Sequence, residues 1–426
     1  MMQSLPDGPV LLRNATVPAC LLGQPGDLVR SDLALSGGQI ATAALGMAEV
    51  DLKGGMVLPC FIDMHTHLDK GQIWDRSPNP DGTFAGALAA AGSDRESHWS
   101  ATDLRRRVDF ALRTAFAHGT RAIRTHLDSI PPQDAVSWPL FAEIRAEWAG
   151  RIDLQAASLA GCDMALDPAF VTLADRVAAH RGVLGLFTYA MPDMPERLRR
   201  VFTLAADRGL DMDFHADETL DPAVNTLAQI ARAALDTGFQ GKIVAGHCCS
   251  LSTMPEGEAL QTLDLCAKAG VGIVSLPMCN LYLQDRHAAR TPRNRGITLV
   301  HEARARGIPV AFASDNTRDP FYAYGDLDMV EVLREATRIA HLDHSATDWV
   351  QSVLTTPAAL CGFAAPGLSP GAPADLVIFR ARGWTELFSR PQSDRTVLRA
   401  GIAMDRTLPD HAELDDLMRP ACALKP

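Results

Sequence analysis

The sequence lacks three features that would point to other classes of protein. It has no excess of basic residues, since 51 acidic and 40 basic side chains give a net charge of -11, and this disfavours nucleic acid as a partner. It has neither an apolar run near the roughly 20 residues of a membrane span nor an N-terminal secretory pattern. None of its nine cysteines is spaced C-x-x-C, which favours free thiols. We therefore expect a cytoplasmic protein that binds neither nucleic acid nor membranes.

A repeated rhythm runs through the middle of the chain, between about residues 56 and 340. A short apolar run is followed by a charged stretch of helical period, and a glycine precedes the next run. The strand candidates are "MVLPCFIDMHTH", "TRAIRTHLD", "RIDLQAASLA", "VLGLFTYAM", "LDMDFHADE", "KIVAGHCC", "GVGIVSLPMCN" and "PVAFASDN". Alternating strands and helices predict an α/β fold, and a closed (β/α)8 TIM-type barrel and an open doubly wound sheet share this rhythm.

The two ends of the chain differ from this middle part. They contain short strand-like segments with turn residues, such as "GPVLLRNATVPACLL" near the start and "PADLVIFRA" near the end. Neither end can bury its apolar positions alone, so we expect the two to combine into one small β-sandwich domain. The predicted boundaries are 1–58 and 359–426 for the small domain and 59–358 for the barrel.

Polar residues of chemically useful types follow the predicted strands. His65 and His67 share one side of the first strand, because residues i and i+2 of a strand face the same way, and such a pair can hold a metal. Alone, an H-x-H is more often a surface or capped pair. The other strand ends, however, carry further candidates, namely His126, His215, Glu218, His247 and Asp315. Such residues at the C-terminal face of a barrel read as catalytic rather than stabilising.

With these residues the sequence resembles the amidohydrolase superfamily, and within it the bacterial cytosine deaminases. The stretches that carry the resemblance are "HTHLD", "RTHLD", "HADE", the "GH" of Gly246 and His247, "NLYLQDR", "PRNRGIT" and "SDNTRDPFYAYGDLDM". The resemblance implies a (β/α)8 barrel with a small β-domain. It also implies one divalent metal ion, zinc or iron(II), held by His65, His67, His215 and Asp315.

Two other positions bear on the number of metal ions. Binuclear members of the superfamily use a lysine after strand four, and "VLGLFTYAM" offers none, so a mononuclear site is expected. Lys70 follows strand one instead, and we interpret it as a surface or salt-bridging lysine. His126 is interpreted as a hydrogen-bond partner behind the ligands.

The expected chemistry is hydrolytic deamination of a cytosine-like base. A divalent cation lowers the pKa of bound water from about 15.7 towards 7, and the resulting hydroxide would add to an sp² carbon that bears an amino group. Asp315 would accept the released proton, Glu218 would shuttle it to the ring nitrogen and the amine, and His247 would orient the hydroxide. The H-x-E plus P-C-x-x-C signature of polynucleotide deaminases is absent.

The substrate-reading positions depart from those of cytosine deaminase. Ala160 or Gly161 stands where that enzyme has a glutamine, Asn316 replaces an aspartate and Phe321 replaces a tryptophan. A site with fewer polar groups and more room favours a larger or less polar ring. We therefore predict cytosine, 5-methylcytosine or another 5-substituted cytosine as substrate, with a place in pyrimidine metabolism and Gln284 as a further ring-binding candidate.

Other functions remain open at this stage. The same site chemistry would serve a hydrolase or deaminase of another small nitrogen heterocycle, such as an isoguanine, pterin, triazine or creatinine-like ring, although Glu218 favours deamination. A non-catalytic scaffold is disfavoured, because four metal ligands are present together with Glu218 and His247. The expected partner is a small heterocyclic base, and the sequence leaves open whether the protein forms a homo-oligomer.

Overall fold

The N-terminal segment forms a four-stranded sheet before the barrel begins. The computed structural model describes residue 6, residues 8–391 and residues 394–418. The long first strand pairs antiparallel with the second and parallel with the fourth, and the third lies at an edge. The first five strands are β1 (Val10–Pro18), β2 (Leu28–Ser36), β3 (Gln39–Ala41), β4 (Ala48–Asp51) and β5 (Val57–Pro59).

Eight parallel strands form the barrel, and all eight strand candidates from the sequence contain one. They are β6 (Phe61–Thr66), β7 (Thr120–Asp128), β8 (Asp153–Leu159), β9 (Leu184–Phe187), β10 (Met212–Ala216), β11 (Ile243–His247), β12 (Val271–Ser275) and β13 (Val310–Phe312). β6 to β8 form one ladder and β9 to β13 another. Parallel bridges between Thr66 and Asp315 and between Ala157 and Val183 join the two ladders. The sheet is therefore a closed barrel, as the resemblance implied.

Helices lie between all consecutive barrel strands and also follow the last one. They are α1 (Phe84–His98), α2 (Ala101–His118), α3 (Asp134–Glu147), α4 (Pro168–Ala179), α5 (Met194–Arg208), α6 (Thr226–Thr237), α7 (Glu256–Ala269), α8 (Pro277–Leu283), α9 (Val300–Ala305), α10 (Met329–Ala340), α11 (Thr355–Cys361), α12 (Trp384–Phe388) and α13 (Asp415–Met418). α2 shows why they begin and end where they do. The Ser100 hydroxyl accepts a hydrogen bond from the Asp103 amide, and Gly119 ends the helix in the left-handed conformation.

The two chain ends combine into the small β-domain, as predicted. β14 (Leu376–Ile378) pairs antiparallel with β5 and with β15 (Thr396–Arg399), and β16 (Ile402–Ala403) completes this second sheet. One apolar core joins side chains from both ends, including Leu12, Leu35, Leu376 and Leu398. Neither end could bury these side chains alone, which is the physical reason for their association.

Three details of the sequence-based prediction are wrong. The first strand candidate is divided at Cys60, because β5 pairs with the C-terminal β14 whereas β6 enters the barrel. The seventh candidate ends at Ser275, and its "PMCN" opens α8, where Pro277 suits a first helical turn. The segment "TDLRRRVDFALRTAFAHG" predicts Thr102 or Asp103 as the N-cap of α2, but the N-cap is Ser100.

Two expectations drawn from absences can be compared with the structure. The eight cysteines within the described residues are free thiols, and Cys422 lies outside them. Among the helices of the described part of the chain, none is long and apolar enough to cross a membrane.

Candidate metal centre

Four predicted metal ligands meet at the C-terminal end of the barrel. His65 lies in β6, His67 directly follows that strand, His215 lies in β10, and Asp315 follows β13. All four side chains are buried. Parallel strands in a barrel end at the same face, so residues separated by 250 positions in the chain reach one point there.

The donor atoms of these four residues form a cage of the size that a metal ion requires. The Nε2 atom of His215 lies 3.1 Å from that of His65 and 3.2 Å from that of His67. The Oδ1 atom of Asp315 lies 3.2 Å from Nε2 of His67 and 3.7 Å from Nε2 of His65. Ligands about 2.0–2.1 Å from a tetrahedral ion stand roughly 3.3 Å apart. The cage therefore fits a single divalent ion.

The electrostatics of the cage agree with a cation between its members. Burial, together with the neighbouring histidines and Lys70, holds the pKa values of His65, His67 and His215 well below their ordinary range, so the imidazoles are neutral and able to coordinate. Both oxygens of Asp315 lack a hydrogen-bond partner among the described residues. A buried carboxylate in this state is costly unless a positive charge compensates it.

His126 lies behind the cage. Its ring is 4.0 Å from that of His65, centroid to centroid, and its nitrogen lies close enough for it to form an alternative four-histidine group with His65, His67 and His215. However, its Nε2 atom is 3.2 Å from Oδ1 of the buried Asp213, which also pairs with Arg124. His126 therefore lies at ion-pair distance from Asp213, and its role as a hydrogen-bond partner behind the ligands stays a prediction.

His247 is held in a defined orientation beside the cage. The Asn280 side-chain amide lies 3.0 Å from its Nδ1 atom, so an amide N–H donated there leaves the proton of His247 on Nε2. Burial lowers its pKa to about 3, with a further contribution from His126. Gly246 is required in "GH", because a Cβ at this position would lie 2.8 Å from Cε1 of His65. The sequence-based prediction gave no role to Asn280, although it opens the quoted "NLYLQDR".

Glu218 lies in the loop after β10 and lines the same cavity as the cage. Its Oε1 atom is 3.4 Å from Nδ1 of His247. Burial and the charge of Asp315 raise the pKa of Glu218 well above its usual value, which favours the protonated form of this carboxyl group. Gln284 donates a hydrogen bond to the Glu218 backbone carbonyl at 3.2 Å. It thus supports the loop from behind instead of lining the cavity.

A cavity of about 270 Å³ opens above the cage. Asn316 and Phe321 line it, as predicted; Asn316 donates to Asp319 at 2.8 Å, and the rings of Phe321 and Phe84 meet edge to face. Ala160 is buried in the barrel core, and the residue of β8 that reaches the cavity is Leu159. Successive side chains of a strand alternate in direction, so a shift of one residue exchanges the cavity for the core.

Three charged residues in the cavity wall complete the site, and two of them were missed from the sequence. Lys70 is buried, and its Nζ atom lies 3.0 Å from Oδ1 of Asp128. Arg95 from α1 lies 3.0 Å from the other oxygen of Asp128. The salt-bridging interpretation of Lys70 is confirmed, but the lysine is not at the surface. Asp128 is the last residue of the quoted "RTHLD", so its place in the site could have been predicted from that stretch. Arg95 lies in a helix, and no motif in the sequence indicates a role for it.

The architecture and this donor set can be compared with known proteins. The amidohydrolase family matches residues 48–136 and 157–404, which is well over half of the 426 residues. The chain belongs to the amidohydrolase family. The predicted superfamily is therefore confirmed.

Relatives of this amidohydrolase include several deaminases. It is 53% identical over 421 residues, 96% of each chain, to a pterin deaminase of Rhizobium rhizogenes (strain K84). It is 25% identical over 357 residues to an N-isopropylammelide isopropyl amidohydrolase of Pseudomonas sp. (strain ADP), covering 78% of this chain and 82% of the relative. A solved 5-methylcytosine deaminase from Klebsiella pneumoniae, liganded with 5-fluorocytosine, superposes with a TM-score of 0.80 at 25% identity, covering 94% and 98%.

These findings set the reaction class. The amidohydrolase is a hydrolytic deaminase of its superfamily and a hydrolase that acts on the C–N bonds of cyclic amidines. The buried histidine-rich cage agrees with the divalent metal that is typical of the family.

Proposed function

We propose that this amidohydrolase deaminates a pterin, replacing the 2-amino group of a 2-amino-4-oxopteridine by oxygen and releasing ammonia. The 53% identity to a pterin deaminase over 96% of both chains carries the proposal. The sequence alone favoured a cytosine-like base and named pterin among the alternatives. The relative with cytosine chemistry in its name is 25% identical, so the alternative has the stronger support.

The cavity supports a bare bicyclic ring as substrate. Its volume of about 270 Å³ lies just below the roughly 300–1,000 Å³ range of small-molecule sites, which leaves little space for a nucleoside or nucleotide. Apolar side chains form much of its wall, namely Phe84, Leu88, Ile130, Leu159, Phe187 and Phe321. Aromatic faces of this kind suit a flat, conjugated ring.

His65, His67, His215 and Asp315 would hold one zinc or iron(II) ion. When bound, that ion supplies Lewis-acid activation of water. His247 presents Nε2–H to the attacking oxygen, in the tautomer that Asn280 selects. Glu218 would donate a proton to a ring nitrogen beside the attacked carbon, and its carboxylate would then carry one proton of the water to the departing amine. The second proton of the water returns to Glu218 when the new hydroxyl group becomes the oxo group, so the residue is regenerated. One water is consumed, and one oxo ring and one ammonia are formed.

The proposal can be tested by ammonia release from a panel of rings. Purified protein, analysed first for bound zinc and iron, would be assayed with pterin, cytosine, 5-methylcytosine and isoguanine. We expect about one equivalent of metal and a kcat/KM for pterin at least about 100-fold above that for either cytosine, a margin that a polar-group mismatch supplies. Metal-free protein prepared with a chelator serves as the control. Faster turnover of cytosine or 5-methylcytosine would overturn the pterin proposal and restore the first prediction.

A further inference from the structure

Lys70, Asp128 and Arg95 lie together at one side of the substrate cavity. We call these three residues the charged group. Both cations bind the same carboxylate, Lys70 at Oδ1 and Arg95 at Oδ2, each at 3.0 Å. All three residues line the cavity. An ammonium has three N–H donors and a guanidinium five, so both cations keep N–H donors beyond those that contact Asp128, and these can bind whatever occupies the cavity.

The group is held close to the metal cage by the backbone. The Lys70 amide donates to the His67 carbonyl at 3.2 Å, within the turn that follows β6. The Asp69 side chain accepts a hydrogen bond from the Asp128 amide at 2.7 Å, which ties the ends of β6 and β7 together. The Lys70 ammonium also lies 5.2 Å from the centre of the Phe321 ring. A ring stacked near Phe321 would therefore have its edge within reach of this ammonium.

The position around the barrel separates this group from the proton shuttle. Lys70 follows the first barrel strand and Asp128 ends the second, whereas Glu218 follows the fifth and His247 ends the sixth. In a closed barrel of eight strands these two pairs stand on opposite sides of the mouth. The wall between them at the end of β8 offers the apolar Leu159, which cannot bind a carbonyl oxygen.

We propose that Lys70 and Arg95 bind the ring carbonyl oxygen that neighbours the reacting amidine, which is the 4-oxo group if the substrate is a pterin. This inference rests on the proposed function and adds the residues that determine ring specificity. A donor pair in this place selects rings with an oxygen acceptor next to the amidine. It rejects rings that lack the oxygen, because the buried cations would then lose a partner that had replaced water.

The test compares pterin with 2-aminopteridine, which lacks the 4-oxo group and the N3 hydrogen that accompanies it. Each has one exocyclic amine, so ammonia release reports the same reaction. We expect unmodified enzyme to favour pterin, Lys70→Met to lower kcat/KM for pterin about 10- to 100-fold, and the same variant to change the value for 2-aminopteridine less than about threefold. Arg95→Gln should show the same selective loss, and Lys70→Arg should recover part of the pterin activity.

Controls separate binding of the oxygen from damage to the fold or to the cage. Metal content and Tm are measured for every variant, and Glu96→Gln changes an exposed charge next to Arg95 on the same helix. If Lys70→Met loses metal, Arg95→Gln decides the question, because Arg95 lies on α1 rather than beside a ligand. Equal losses with both rings at full metal content would overturn the inference alone. Failure of the unmodified enzyme to deaminate pterin would overturn the proposed function and the inference with it.

Discussion

The mouth of the barrel and the core of the small β-domain both bury side chains, but they bury side chains of opposite polarity. In the small domain the core side chains are apolar, and the buried Thr16 hydroxyl donates to the Gly54 carbonyl at 2.6 Å. At the mouth the side chains are as deeply buried, yet His65, His67, His215, His247 and Asp315 each retain a ring nitrogen or carboxylate oxygen without a hydrogen-bond partner among the described residues.

The difference shows which region is built for stability and which for chemistry. Unpaired buried polar groups cost roughly 1–3 kcal/mol each, so the carboxylate of Asp315, whose two oxygens lack a partner among the described residues, destabilises the mouth until a cation compensates it. His247 and Asp315 also adopt positive φ angles of 67° and 66°, which non-glycine residues disfavour. The rest of the protein has to supply the stability that holds these residues in place.

The largest effect is expected from replacing a metal ligand at the mouth of the barrel. Asp315→Asn keeps the size of the side chain but removes the charged ligand, so metal content should fall and kcat/KM should drop on the order of 10⁴-fold. Metal-free variant and metal-free parent should have similar Tm values, because the lost carboxylate had no partner. Urea unfolding and metal analysis check both parts, and a large loss of metal-free stability would show that Asp315 is a structural residue.

The second-largest effect is expected from changing the proton-shuttling residue while all four metal ligands are kept. Glu218→Gln should lower kcat about 10³-fold, within the usual range for a general acid–base group, while metal content stays at the parental value. Glu258→Gln, an exposed position on α7, is the matched control. Steady-state kinetics with metal analysis measure the effect, and a variant with nearly full activity would remove Glu218 from the mechanism.

The opposite pattern is expected in the small domain. Leu12 is fully buried in its core, so Leu12→Ala should lower the free energy of unfolding by about 2–5 kcal/mol. Activity per folded, metal-loaded molecule should stay within about twofold, because no catalytic residue moves. Leu45→Ala, at a fully exposed leucine, should change neither quantity. A selective loss of kcat in Leu12→Ala would show that the two regions are coupled.

The smallest effect is a pH dependence at the seam between barrel and C-terminal segment. Arg395 lies 2.8 Å from Asp328. Although burial opposes it, the charge and hydrogen bonds of Arg395 lower the pKa of Asp328 from 3.8 to about 2. A lowered pKa in the folded state means that the stabilisation, about 2 kcal/mol, is present above pH 4 and is lost as the pH falls towards 2.

Asp328→Asn tests this without removing the helix cap, because asparagine also caps helices. The difference in unfolding free energy between parent and variant should be largest near pH 6 and should shrink at pH 3. Urea unfolding at both pH values measures it. A difference that is constant with pH would assign the stabilisation to the cap rather than to the ion pair.

Much of the site could be predicted because its residues stand at regular places in the sequence. Strand-end histidines and Asp315 follow a periodic pattern, and the structure brings the predicted ligands together. Gln284 and Ala160 show where prediction of the site from the sequence fails. A contact such as that between Gln284 and the Glu218 backbone joins distant loops, and Ala160 differs from the cavity-lining Leu159 by one position along a strand.

The sequence by itself determined the strand and helix rhythm, the pairing of the two ends and the types of residue offered for metal binding. These depend on local periodicity and on composition. Only the tertiary structure decided that the sheet closes between Thr66 and Asp315, that Asn280 orients His247, and that Lys70 and Arg95 share Asp128 inside the cavity. Those outcomes depend on contacts between segments far apart in the chain, which no local pattern encodes.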